Sequence, residues 1–351
     1  MDDCRPISIV VPVFNEAGNL RALCDAVSQQ VQRCALPYEL LFVNDGSLDE
    51  SMSVLRELAA EDRRVKVVGL SRNFGHQNAV SAGLEFARGD AVIVMDADLQ
   101  HPPDLIPQMI AAWREGYHVV YTIREDDRRQ TGWFKRWTSA GFYKLINALS
   151  DVRIAAGAAD FRLMDRTVVD CLVAMPERSR FLRGMVSWVG FRQKGIRYRP
   201  NPRHSGESKY SVRKMLALAL QGMTSFSSVP LRVSGYLGLF AALAGLPYAL
   251  WAVYAKLFTD MVVPGWASLL VAILFLGGVQ LMSIGVIGEY VGRIYTEVKR
   301  RPLYLTEELI GFEARPPRPD PPIAGVPWHW RLSESAHWPQ GVPRGDEAPH
   351  R

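Results

Sequence analysis

The sharpest chemical feature of the sequence is a pair of carboxylates that follows an apolar run. Residues 91–95 are all apolar, and Asp96, Asp98 and Gln100 follow them at every second position. In an extended chain, residues two apart face the same side, so these oxygen-bearing side chains can converge on one point. Such oxygens suit a hard divalent cation such as Mg²⁺ or Mn²⁺. The pattern predicts a metal site, although acids also commonly end strands and cap helices.

Two earlier turns carry polar groups that suit a nucleoside. Residues 12–16 and 44–47 each follow an apolar run, and the second turn contains Asp45. This carboxylate can accept a hydrogen bond from a base while the first turn frames the nucleoside. Ordinary turn chemistry explains either turn alone, so it is their order along the chain that points to a nucleotide.

The elements that must position these groups follow from the hydrophobic pattern. Short β-branched runs alternate with amphipathic stretches, which predicts an α/β fold with a parallel sheet covered by helices. The predicted strands are residues 7–13, 39–43, 65–69 and 91–95, and the predicted helices are residues 19–34, 51–60 and 78–87. Both turns and the acid pair fall beyond the carboxyl ends of strands, where open α/β sheets bind ligands. Residues 104–198 mix helical and strand patterns.

The second part of the chain reads as a membrane anchor. Residues 235–255 and 261–288 contain no charged side chain, and each run is long enough to cross a bilayer of roughly 30 Å as a helix. We therefore predict two C-terminal transmembrane helices; a pair of buried core helices is the alternative. The 351 residues leave room for one full catalytic domain before them.

The charge distribution indicates a membrane surface and not a nucleic acid. The formal net charge is only +5, and basic residues flank the apolar runs. The connecting loop holds only Lys256 and Asp260, so the excess of Lys and Arg outside it predicts a multi-pass protein of the inner (cell) membrane with both termini and the catalytic domain cytoplasmic. The flanking basic residues are Arg203, Lys209, Arg213, Lys214, Arg232, Arg293, Lys299, Arg300 and Arg301.

These patterns divide the chain into five segments. We expect a catalytic domain at residues 1–210, an interfacial amphipathic segment at 211–232, a two-helix transmembrane hairpin at 233–292 and a cytoplasmic juxtamembrane segment at 293–312. We expect the chain to lose order after Pro302, and the Pro-rich tail, residues 313–351, lacks the apolar content to fold.

The motifs in combination resemble a known family. VVPVFNE at 10–16, VNDGS at 43–47 and MDADLQ at 95–100 resemble family 2 inverting glycosyltransferases of the GT-A fold, a Rossmann-like fold that binds nucleotide sugars. Further motifs resemble the dolichol-phosphate mannose synthase-like enzymes, especially bacterial bactoprenol glucosyltransferases. These are SRNFGHQ at 71–77, ADFRLM at 159–164, RFLRG at 180–184, GESKY at 206–210 and GVIGEYVGRIY at 285–295.

The resemblance implies roles for individual residues on the donor side. The nucleotide-sugar set is Pro12, Asn15, Glu16, Asp45, Asp96, Ala97, Arg203 and Lys209. Within it, Arg203 and Lys209 would hold the diphosphate, although attraction to lipid headgroups also explains these two cations. The metal ligands would be Asp96, Asp98 and Gln100.

The resemblance also implies an acceptor site and a reacting centre. Arg124, Lys135, Arg136 and Ser139 correspond to the region that binds the acceptor phosphate, although a solvated basic face explains this cluster almost as well. Asp160, with Asp98, would be catalytic. A phosphate monoester is substantially ionised near neutral pH, so Asp160 acts either as a base or as a positioning group. His76 and His101 are expected to be surface or structural histidines.

The implied reaction is transfer of one hexose, foremost glucose from UDP-glucose, to a polyisoprenyl phosphate such as undecaprenyl phosphate, with inversion. Alternatives are mannose or an aminoarabinose derivative as the sugar, a processive polysaccharide synthase, or a non-catalytic scaffold in lipid-linked sugar translocation. The Gln-x-x-Arg-Trp motif of processive synthases is absent from the sequence. A homo-oligomer such as a tetramer is implied by the resemblance alone.

Overall fold

The computed structural model describes residues 5–124, 158–199, 229–258 and 265–312. By its internal contacts the chain divides into two units, Met1–Glu313 and Ala314–Arg351. The second unit lies outside the described residues, as do the expected interfacial residues 211–228. All of the structure reported below belongs to the first unit.

The strands and helices alternate through the first part of the chain, as the hydrophobic pattern predicts. The strands are β1 (Ile7–Val13), β2 (Tyr38–Asn44), β3 (Val65–Leu70), β4 (Ala91–Val94), β5 (Val119–Arg124), β6 (Ala158–Asp165), β7 (Gln193–Tyr198) and β8 (Thr306–Ile310). The helices are α1 (Leu20–Gln32), α2 (Ser51–Glu61), α3 (His76–Phe86), α4 (Ile106–Arg114), α5 (Arg166–Ala174), α6 (Leu182–Trp188), α7 (Val229–Phe258) and α8 (Trp266–Val298). A 3₁₀ turn, Pro103–Leu105, precedes α4.

One sheet contains all eight strands of the described residues. Its strand order is β7-β5-β6-β4-β1-β2-β3-β8. The helices α1, α2 and α4 contribute to the apolar core on one face, and α3, α5 and α6 contribute to the core on the other. All seven residues of β1 are buried, because helices cover the sheet on both faces, and all of them except Ser8 are apolar. The predicted α/β architecture is confirmed, and the fold is GT-A-like.

The sheet mixes parallel and antiparallel pairs, whereas the sequence pattern of its first strands predicts a parallel sheet. β1 pairs parallel with β2 and β4, and β2 pairs parallel with β3. β6, however, lies antiparallel between β4 and β5, and β8 lies antiparallel against β3. The prediction of a parallel sheet is correct for β1 to β4, the strands of residues 7–95 to which it applies. β5 and β7 are also parallel to each other, whereas β6 and β8 run antiparallel to their neighbours.

The strand β8 corrects the expectation that order is lost after Pro302. Glu308 accepts hydrogen bonds from Arg56 Nε and Nη2 at 3.2 and 2.7 Å. Ser71 N donates to Leu305 O at 2.9 Å, and the ring of Phe312 meets Phe86 edge to face at 5.5 Å. These contacts fasten residues 304–312 to the catalytic sheet, and the composition-based expectation missed them because a short edge strand needs little apolar content.

Two long helices, α7 and α8, lie between β7 and β8 in the sequence. Many of their large apolar side chains are exposed, among them Phe240, Trp251, Phe275 and Ile287. Within the described part of the chain, one helical stretch, Phe275–Val298, is long and apolar enough to cross a membrane. That both α7 and α8 cross the membrane remains a proposal.

The end of α8 is attached to the catalytic part. Glu297, in the last turn of α8, accepts hydrogen bonds from the backbone amides of Arg178 and Ser179 at 2.9 and 3.2 Å. Arg178 also donates from its guanidinium to the carbonyl of Arg301. The exit of α8 is therefore tied to the loop that leads into α6.

A glycine in α3 tests how closely this helix packs on the sheet. A Cβ on Gly83 would lie 2.2 Å from Val10 Cγ1 and 3.2 Å from Val43 Cγ2. Alanine normally favours a helix by about 1 kcal/mol over glycine, but overpacking costs about 1–3 kcal/mol. We expect Gly83→Ala to lower the thermal unfolding temperature of the detergent-solubilised protein. Gly18→Ala is the control, because a Cβ there meets nothing within 4 Å; equal unfolding temperatures for the two variants would contradict the packing.

Candidate active site

The acid pair lies where β4 ends, beside the end of β1. Met95 N donates to Val10 O at 3.1 Å, and the chain then leaves the sheet through Asp96 and Asp98. Leu99 has a positive φ of 58°, and Gln100 N donates to Asp98 Oδ1 at 3.1 Å. The chain therefore reverses immediately after the acids, and this turn keeps both carboxylates at the carboxyl edge of the sheet.

Asp96 is held by a buried histidine. Asp96 N donates to His101 Nδ1 at 3.2 Å, so in the neutral ring Nε2 carries the proton. That atom lies 3.8 Å from Asp96 Oδ2, and the ring stacks on Phe161 with centroids 5.2 Å apart. His101 is thus a structural histidine, as expected, but its structural role is to orient the proposed metal-binding acid.

The other oxygen of Asp96 carries the clearest signal for a cation. Asp96 Oδ1 is buried without a hydrogen-bond partner, and His76 Nε2 is 3.6 Å away, beyond hydrogen-bond distance. Among the described residues, no group of three or more His, Cys, Asp or Glu side chains is arranged to hold a metal. A cation bound by Asp96 would therefore need further ligands, such as substrate phosphates.

The two predicted nucleoside turns are joined to each other. Asn15, which has a φ of 57°, donates from its backbone N–H to Ser47 Oγ at 3.0 Å. Its side-chain oxygen accepts a hydrogen bond from Leu48 N at 2.8 Å. Glu16 N donates to Ser51 Oγ at 3.1 Å. Pro12 is buried within β1. These bonds give the two turns one fixed shape.

Asp45 anchors a third segment to these turns. Its buried carboxylate accepts hydrogen bonds from the amides of Phe74 and Gly75 at 2.7 and 3.0 Å. Burial raises the pKa of Asp45, and these hydrogen bonds only partly offset that effect. Each carboxylate oxygen keeps a further lone pair, so hydrogen bonding to a base remains possible. The close approach requires Gly46, since a Cβ there would lie 2.4 Å from the backbone of Arg72.

Asp160 lies across the site in a strong ion pair. It accepts hydrogen bonds from Arg183 Nε and Nη2, both at 2.8 Å, and from Arg162 Nη2 at 3.3 Å. Burial favours the protonated acid, yet the hydrogen bond and charge of Arg183, together with the charge of Arg162, hold the pKa of Asp160 well below its usual range. A carboxylate so stabilised is a weak proton acceptor, which favours the positioning role over the base.

The remaining predicted residues divide into placed and unplaced groups. Ala97 is buried beside the acids, and Arg124 ends β5 at the same edge of the sheet with an exposed side chain. Burial raises the pKa of the nearby Tyr198, on which the charges of Arg124, Asp96 and Asp98 also act. The predicted residues Lys135, Arg136, Ser139, Arg203 and Lys209 lie outside the described residues.

The structure adds residues that the sequence reasoning left without a role. His76 Nε2 lies between Asp96 Oδ1 at 3.6 Å and Asp160 Oδ2 at 4.0 Å, so it belongs to the site. Arg162 and Arg183 compensate Asp160. The motifs could have pointed to these residues, because SRNFGHQ, ADFRLM and RFLRG each contain one of them.

Comparison with known proteins assigns the family. The model of glycosyl transferase family 2 matches residues 8–173, and that of the GtrB C-terminal hairpin matches residues 229–294. The glycosyltransferase YkcC of Bacillus subtilis is 46% identical over 306 residues, covering 87% of this chain and 94% of its own. The chain belongs to glycosyltransferase family 2. It is therefore a glycosyltransferase.

Two further relatives of this glycosyltransferase have more specific names. The SfII prophage-derived bactoprenol glucosyl transferase of Shigella flexneri is 45% identical, covering 86% of this chain and 97% of its own. The prophage bactoprenol glucosyl transferase homolog of Escherichia coli K12 is 42% identical, covering 86% of this chain and 99% of its own. The resemblance seen in the motifs thus extends over both the catalytic part and the hairpin.

The Asp160–Arg183 ion pair should contribute to the folding stability of the protein. Arg183→Gln removes a bidentate partner and leaves a buried carboxylate less compensated, which should cost about 1.5–3 kcal/mol at neutral pH. Because the pKa of Asp160 is lower in the folded than in the unfolded protein, the ionised acid stabilises the fold at pH values above its unfolded pKa of about 3.9. This stabilisation is lost as the pH falls toward the folded pKa. The difference in unfolding free energy between variant and wild type should therefore become smaller only below about pH 4.

Chemical denaturation at several pH values measures that difference. Arg33→Gln is the control, since Arg33 is exposed and, among the described residues, its guanidinium donates to the Gln30 side chain and forms no ion pair. A variant at position 183 that is as stable as the control at neutral pH would show that the pair contributes little.

Proposed function

We propose that this glycosyltransferase moves glucose from UDP-glucose to the phosphate of a polyisoprenyl lipid such as undecaprenyl phosphate, at the cytoplasmic face of the membrane. The observation that carries the proposal is the similarity to named bactoprenol glucosyl transferases at about 45% identity across catalytic part and hairpin together. A family 2 domain alone is compatible with many acceptors, whereas the hairpin is the part that suits a lipid acceptor.

The donor side of the proposed site uses the joined turns and the acid pair. Pro12, Asn15, Glu16 and Asp45 frame the nucleoside, since their turns are fixed to one another by hydrogen bonds. Asp96, with Ala97 beside it, and Asp98 and Gln100 would hold Mg²⁺ or Mn²⁺, and the unpartnered Asp96 Oδ1 supports this assignment. When bound, the cation supplies positive charge near the departing diphosphate. Arg203 and Lys209 are proposed to bind the same diphosphate.

The reacting centre needs an anionic nucleophile and not a strong base. An oxygen of the lipid phosphate attacks the anomeric carbon, and the bond from that carbon to the diphosphate oxygen breaks as UDP leaves with the electron pair. In-line attack inverts the anomeric centre. Because the phosphate is already ionised near neutral pH, Asp160 has no proton to remove. Its lowered pKa suits a residue that positions Arg183 beside the reactants.

The acceptor side is proposed from the basic residues and the helices. Arg124, Lys135, Arg136 and Ser139 would bind the lipid phosphate, since cations and a hydroxyl suit such a group. We propose that α7 and α8 cross the membrane as a pair within the 233–292 hairpin, flanked by the interfacial segment 211–232, the juxtamembrane segment 293–312 and the tail 313–351. Anchoring confines enzyme and lipid to one surface and raises their effective concentration. We also propose that the protein assembles as a homo-oligomer such as a tetramer.

The acid pair provides the test of the reaction. With purified protein, undecaprenyl phosphate and radiolabelled UDP-glucose, we expect a labelled prenyl phosphate product that disappears with excess EDTA and returns with Mn²⁺ or Mg²⁺. Asp98→Asn should lower kcat by about a hundredfold or more, because a ligand charge at the metal is lost. Asp104→Asn is the matched control, since this exposed acid lies just beyond the site.

Other outcomes of this assay would redirect the proposal. Labelling from a GDP-mannose or aminoarabinose donor, with none from UDP-glucose, would change the sugar. A polymeric product would identify a processive synthase, and no product from any donor would favour a scaffold. Full activity in EDTA would remove the metal from the mechanism.

The proposed topology has its own test. In a variant with the native cysteines replaced, we introduce Thr259→Cys in the loop between the helices or Arg63→Cys in the catalytic domain. A membrane-impermeant maleimide added to intact spheroplasts should label position 259 only, and permeabilisation should expose position 63. Protection of both positions in intact spheroplasts would contradict a hairpin that crosses the membrane.

A further inference from the structure

The side chain of His76 occupies the middle of the proposed site. His76 is the first residue of α3, and the two residues before it are fixed, because Asp45 accepts hydrogen bonds from the amides of Phe74 and Gly75. Asn78 Nδ2 donates to Phe74 O at 2.9 Å and fixes the same turn from the helix side. The position of the imidazole is therefore set by the segment that also holds the nucleoside turns together.

The ring nitrogen faces two carboxylates without bonding to either. His76 Nε2 is 3.6 Å from Asp96 Oδ1 and 4.0 Å from Asp160 Oδ2, and both distances exceed those of hydrogen bonds. A donor in this position points into the gap between the proposed metal ligand and the acid that holds Arg183. Its side chain is 42% exposed, against 17% for Asp160, so it is accessible from the open side of the site.

The neighbouring charges leave the imidazole available for a substrate. Asp160 is compensated by Arg183 at 2.8 Å and by the buried Arg162 at 3.3 Å, so it has no need of His76 as an ion-pair partner. Asp96 is oriented from its other side by His101. The gap lies between Asp96, assigned to the metal that would bind the departing diphosphate, and Asp160, assigned to the reacting centre. On these proposed assignments, a phosphate oxygen of a substrate would lie close to this gap.

We propose that the Nε2–H group of His76 donates a hydrogen bond to an anionic phosphate oxygen of a substrate during transfer. This inference rests on the proposed function, and it assigns His76 a binding role. The oxygen belongs either to the lipid monophosphate or to the donor diphosphate, which share this chemistry. The two sources differ in which substrate binds more weakly when the donor group is removed.

The experiment compares variants of the full-length protein with a matched histidine. His76→Ala removes the donor, and His76→Gln keeps an N–H donor at the same number of bonds from Cα but without the ring. His118→Gln is the control, because His118 precedes β5 at the opposite edge of the sheet, where its ring packs on Phe191 with centroids 5.2 Å apart. Steady-state kinetics with each substrate varied in turn, UDP binding by calorimetry and thermal unfolding are measured for all three.

We expect His76→Ala to lower kcat/KM by about tenfold to a hundredfold, as for the loss of one hydrogen bond to a charged group, with unchanged thermal unfolding. His76→Gln should recover part of this loss, and His118→Gln should match wild type. A raised KM for undecaprenyl phosphate with unchanged UDP affinity assigns the oxygen to the acceptor. Weakened UDP binding assigns it to the donor.

Two results would overturn the inference. One is wild-type kinetics in His76→Ala, and the other is an equal loss in the Ala and Gln variants with the fold intact, since a donor role requires partial rescue. The proposed function is tested separately by the wild-type protein, whose failure to transfer glucose would be seen before any variant is compared.

Discussion

Four carboxylates meet at the carboxyl edge of one sheet, and the rest of the site follows from how each negative charge is compensated. Asp45 is satisfied by backbone amides, and Asp160 by two guanidinium groups. Asp98 accepts from a backbone amide in its own turn. Asp96 differs, because one of its oxygens is buried without a partner. Burying an uncompensated charge is costly, so this oxygen supports the proposed cation site.

The same compensation couples parts of the chain that are far apart in sequence. Asp45 follows β2, yet it fixes the turn that places His76, and His76 in turn lies beside Asp96 after β4 and Asp160 in β6. The proposed nucleoside site, metal site and reacting centre are therefore built on one arrangement of strand ends. Rigid placement of charged groups is what electrostatic catalysis requires, since groups that need no reorganisation stabilise developing charge most effectively.

The sequence predicted the central strands and helices well and the site only in part. Strands such as β1 are apolar on both faces, so local pattern suffices to find them. The antiparallel placement of β6 and β8 depends on how distant segments return to the sheet, which local pattern does not contain. The acids were found because they directly follow a strand. His76 and Arg183 were missed as site residues because their importance lies in distances to partners 20 or more residues away, as the 23-residue separation of Asp160 and Arg183 illustrates.

The position of β8 gives the two long helices an unusual place in the chain. They are inserted between two strands of one sheet, and their exit is bound to the catalytic part through Glu297. A domain tethered by a single linker swivels freely, whereas one joined to its anchor at both ends of a helical insertion loses much of that rotational freedom. If the helices are embedded in lipid, the carboxyl edge of the sheet is restricted to a narrow range of tilts toward the bilayer. A fragment that stopped before α7 would lose this alignment and would also leave the edge of β3 open to pairing with other chains.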